Sequence, residues 1–161
     1  MGGQAEVYLT CRGVLENAAY AVRIDERPSL SQVWWGRHRE EQEIKDIRRE
    51  FSGPKLFESI KARKSDLAVA FDALYQRTID FGAHPNERSV TANLRSEKLD
   101  ASTARYSMIH LHGDNSLMLD QGLKTAAQVG LCALMLFETI WPAKFEASGT
   151  RTTLSQLKDR L

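Results

Sequence analysis

At 161 residues, 42% of them hydrophobic and 27% charged, the chain has the composition of a folded globular domain and the length to bury a core, which excludes a disordered tail. Its formal charge of +1 lacks the basic excess with which a dedicated DNA-coating protein neutralises phosphate, so any contact with RNA has to be local.

The first predicted element is a helix over 4–23, where Tyr8, Cys11, Leu15, Ala18 and Val22 recur at three- and four-residue steps along one face. The stretch Asp25-Glu26-Arg27-Pro28 ends it, because a residue before proline is steered out of helical geometry. No charged leader with an apolar segment precedes this helix. Ser29 and Gln32 stand as a capping box for a second helix over 29–51, with Val33, Ile44, Ile47 and Phe51 inward and an outer face dense in alternating charge. Within it, Trp34 and Trp35 point roughly 100° apart, so unless the helix is heavily covered one of them is exposed. An exposed tryptophan would mark a subunit or partner interface.

Ser52-Gly53-Pro54 stops one helix and starts another. The third helix is expected over 54–81, with Leu56, Ile60, Leu67, Phe71, Leu74 and Ile79 inward and His84-Pro85-Asn86 closing it. Lys55, Lys61, Arg63 and Lys64 form a basic cluster on it, balanced by Glu58 and Asp66. Over 86–115 the helical period is lost. Residues 106–112 read as a short strand with 89–94 as its partner, a small hairpin or irregular insertion between helices.

A fourth long helix is expected over 116–141, apolar on nearly every side from Val129 to Trp141 and stopped by Pro142. Its uncharged run, 125–137, lies between Lys124 and Glu138 and falls short of the roughly 20 residues of a membrane span. The expectation is therefore a core helix or one that lies in a subunit interface, with no membrane partner. Residues 148–161 form a polar tail with room for one short helix. The reading is mainly α: a single up-and-down bundle of four or five helices with a hairpin insertion before the last long one. Cys11 and Cys132 sit in apolar helical patterns, make neither a metal knuckle nor a disulfide framework, and point to a cytoplasmic setting.

Two constellations carry chemistry. His110 and His112, two apart in a strand, point to one face and with Asp114 offer ligands for a transition metal; the alternative is a histidine pair packed on the bundle. The run His110-Leu111-His112-Gly113-Asp114 resembles the start of the metallo-β-lactamase motif, but Asn115 stands where that family has its last histidine and the helical chain does not suit its layered fold. That family is rejected. The other constellation is Arg77, Asp80 and His84. Asp80 is one turn before the histidine and suited to orient its imidazole, whose charged form a helix C-terminus favours.

An arginine followed within a few residues by a histidine, in a small helical chain, resembles the motif of HEPN domains, several of which are metal-independent ribonucleases that work as dimers. The resemblance implies that Arg77 would hold a scissile phosphate and His84 act as acid or base on the ribose 2′-hydroxyl. Pro85 departs from that pattern, since the family continues the helix there. From the residues alone the favoured function is a non-enzymatic association module, a homo-oligomer built through the fourth helix or the tryptophan pair.

Overall fold

The computed structural model describes residues 4–36, 41–83, 91, 94–108 and 117–158. Its organising element is α1 (Gln4–Glu26), whose Leu15, Ala18, Ala19 and Val22 are wholly buried. Against it lie α2 (Leu30–Gly36), α4 (Gly53–Arg63), α5 (Ser65–Thr78) and α6 (Leu117–Ile140), with α3 (Glu41–Glu50) packed on α2 and the short α7 (Pro142–Ala147) and α8 (Thr150–Lys158) closing on α6. The most extensive contact joins α1 to α6. Small buried side chains, Ala18 and Ala19 on one helix, Cys132 and Ala133 on the other, let these helices approach closely. The core is completed by Leu56 and Ile60 of α4 and by Leu67, Phe71 and Leu74 of α5. This is the mainly α bundle with a small hairpin that the sequence suggests.

Four boundaries differ from expectation. The helix expected over 29–51 is two helices folded on one another. Trp34 and Phe51 would stand about 25 Å apart on one continuous helix, yet their rings are 5.5 Å apart, and both cover Tyr20 of α1 at 5.0 and 5.2 Å. The helix expected over 54–81 breaks at Lys64, which is extended at φ −158° and ψ 104° and caps α4 and α5 at once. Basic residues close α4 and Asp66 opens α5, the arrangement the two helix dipoles favour. Beyond Thr78 the chain continues as a π-helical turn, Ile79–Ala83, which packs on α1 with Phe81 5.6 Å from Tyr8.

The fourth difference is the hairpin. Strands β1 (Leu94–Lys98) and β2 (Ala104–Met108) pair antiparallel, Leu94 opposite Met108 and Lys98 opposite Ala104. The pairing is therefore shifted from the expected 89–94 and 106–112. The turn sets the register: Asp100 Oδ1 accepts hydrogen bonds from the backbone N–H groups of Ser102 and Thr103, both at 2.8 Å, so the chain reverses at 99–103.

Candidate functional site

Among the described residues, one side of α6 makes the core contacts. Thr125, Val129, Cys132, Ala133 and Leu136 face the bundle and are buried. The opposite side is apolar as well: Leu123, Ala127, Gly130, Leu134, Phe137 and Trp141 recur at three- and four-residue steps and so form one stripe. Leu123 is 61% exposed, Leu134 41% and Trp141 45%. The expected core helix is thus half core and half surface, and α1 is the helix the others surround. Over Leu119–Ile140, α6 is long and apolar enough to cross a membrane, with mean hydropathy 1.3 and 28% of the stretch buried.

Two hollows flank the stripe. On the α1 side a groove is lined by Val7, Thr10 and Val14 of α1 and by Ala126, Val129 and Gly130 of α6. On the α5 side lies a groove of about 390 Å³, whose apolar walls are Leu67, Ala70, Ala73 and Leu74 of α5 and Leu131 and Met135 of α6. The two alanines leave the hollow, since larger side chains there would fill the space between the helices. Arg77 stands at one end of this groove, where its Nη1 donates to Gln128 Oε1 at 3.0 Å; Asp66, in the first turn of α5, stands at the other, and Lys158 also lines the groove.

Of the catalytic set expected from the sequence, Arg77 is exposed on the last turn of α5. Asp80 opens the π-helical turn and accepts a hydrogen bond from Gln76 Nε2 at 3.2 Å. His84, and with it the arrangement of Asp80 about an imidazole, lies outside the described residues. So do the metal candidates His110, His112 and Asp114. Among the described residues no group of three or more His, Cys, Asp or Glu side chains converges as a metal site.

The tryptophan pair divides: Trp34 is half-buried in the aromatic cluster with Tyr20 and Phe51, and Trp35 is 74% exposed. Two of the four residues of the basic cluster are engaged by the fold. Arg63 Nη2 pairs with Asp25 at 2.7 Å while its Nη1 donates to the Thr139 carbonyl at 3.2 Å, and Lys55 pairs with Glu50 at 3.1 Å.

Sequence reasoning missed two polar networks that tie helices together. Arg12 and Glu16 of α1 pair at 2.8 Å, and the Tyr75 hydroxyl of α5 donates to Glu16 Oε1 at 2.9 Å. Burial, and then the hydrogen bond to Glu16, push the Tyr75 phenol up, so it stays protonated as a donor. At the other end of α1, Glu50 gathers Arg23, Arg27, Arg49 and Lys55 within 3.4 Å. Arg12–Glu16 is an i, i+4 pair that helix spacing announces, but Tyr75–Glu16, Arg23–Glu50 and Arg27–Glu50 join residues far apart in sequence, and no spacing rule announces those. No family model, no curated protein and no solved structure matches this chain.

Proposed function

We propose that the chain is an association module that pairs with a second copy of itself through the outward stripe of α6. The observation that carries this reading is an exposed apolar stripe on a helix with no charge between Lys124 and Glu138. The stripe is self-complementary. In an antiparallel crossing at Gly130, Leu123 of one copy meets Phe137 of the other, and each Leu134 enters the hole left by the small Ala126, Ala127 and Gly130. Such a contact covers roughly 500 Å² per copy, about 1,000 Å² in total, which meets the lower limit for a biological interface. Crossing a bilayer fits less well, because α1 packs along α6 and would carry Arg12, Glu16 and Arg23 into the hydrocarbon with it.

Light scattering on the purified chain tests this. At micromolar concentration the expected mass is twice 18.2 kDa, and Leu134→Arg is expected to give a monomer with unchanged helix content. Monomeric wild type, or a Leu134→Arg protein that still dimerises, would sink the reading.

A second reading, the HEPN-like ribonuclease, draws support from the π-helical turn that separates Arg77 from the segment holding His84. Turns of this kind are frequent at functional sites, and this one leaves Arg77 exposed just before it. It predicts RNA cleavage in EDTA that is lost in both Arg77→Ala and His84→Ala. Cleavage that persists in either variant removes it.

A further inference from the structure

We propose that the groove between α5 and α6 binds a medium-chain alkyl carboxylate, a free fatty acid of about ten carbons, with its carboxylate on Arg77. The walls are aliphatic, and Met135, an adaptable thioether, completes them. From Leu67 to Arg77 the groove runs about 15 Å along α5. The aliphatic walls along this length suit an extended alkyl chain.

Charge sets the direction. Arg63, Arg12 and Arg151 each pair with a carboxylate. Among the described residues Arg77 bonds the neutral amide of Gln128, which leaves its planar fork for an anionic oxygen pair. Asp66, in the first turn of α5 and so at the opposite end of that helix from Arg77, disfavours an anion there. A carboxylate head therefore belongs at Arg77, with the chain lying over Ala73 and Ala70 toward Leu67. This site is separate from the outward stripe of α6 and does not depend on dimerisation.

Isothermal titration with sodium decanoate below its micellar concentration, and with decan-1-ol as the neutral analogue, tests the assignment. Decanoate is expected to bind saturably, one per chain, and decanol about tenfold more weakly, because a charge-assisted pair is lost. Arg77→Gln should bring decanoate down to the level of decanol. Ala73→Leu, a change at an exposed helical position, should abolish binding of both while circular dichroism stays the same. Absence of saturable binding to the wild type, full binding in Ala73→Leu, or decanoate affinity unchanged in Arg77→Gln would each overturn the proposal. So would an Ala73→Leu protein whose mass alone changes, since the groove would then hold a second copy.

Discussion

Glu50 gathers more cations than any other carboxylate among the described residues, and its side chain is 13% exposed. The Lys55 ammonium, with Arg49 and Arg27 beyond it, holds the Glu50 carboxyl below the usual carboxylate range although burial opposes this. A carboxyl with a depressed folded-state pKa contributes stability that is fully present above its unfolded pKa and is lost as pH falls through the folded one. Urea unfolding should therefore show the wild type losing stability as pH drops below about 4.5, and Glu50→Gln losing less of it over the same range. At neutral pH the variant should be less stable by about 1–2 kcal/mol, since charge-assisted bonds to α1 and α4 are weakened. Equal acid sensitivity in the two proteins would show that Glu50 does not join these helices. The cysteines give a second residue-scale test. Burial pushes the Cys132 thiol up to about 12 and raises Cys11 as well, so neither forms thiolate at neutral pH. A disulfide reagent should leave both unmodified in the folded protein and react with both in denaturant; rapid labelling of folded protein would contradict the burial described.

At the scale of elements the sharpest departure from expectation is the break at Lys64. Ser65 is the first residue of α5 and follows an extended residue, which is where proline is best tolerated. Ser65→Pro should thus leave stability within about 1 kcal/mol of wild type, whereas proline within a continuous helix costs about 3 kcal/mol. Chemical denaturation decides between them. The signal was present in the sequence, because Lys61, Arg63 and Lys64 followed by Ser65 and Asp66 match one helix end and one helix start. Continuous apolar spacing from Leu56 to Phe71 masked it. Periodicity reports which face is buried, and two helices that share a core can keep one period across a short break. The same limit explains the joined reading of 29–51, where Val33, Ile47 and Phe51 keep a helical period though the chain folds back to wrap Tyr20. Leucines and aromatics at regular steps did mark α1 and α6 to within a few residues. The π-helical turn was not legible, for its cause is tertiary: Phe81 packs on Tyr8 of α1.

For the whole molecule, the apolar content of α6 was plain in the sequence but its distribution was not. An all-round apolar helix is equally suited to the centre of a bundle and to an interface, and only the position of α1 decides which side of α6 remains uncovered. The site residues divide in the same way. Arg77 stood out by its spacing from His84, while the groove it borders depends on Ala70 and Ala73, two unremarkable residues whose importance comes from what faces them. The central claim is that two copies meet through α6 with Gly130 at the crossing. A Cβ added at Gly130 meets nothing within 4 Å, so Gly130→Cys should fold normally, and both native thiols are buried. Mild oxidation of this variant measures the claim most directly. The account predicts a reducible covalent dimer at high yield from protein that already has the dimer mass, because the two cysteines would lie within disulfide reach across the axis. A protein that stays monomeric on a non-reducing gel under those conditions would contradict it.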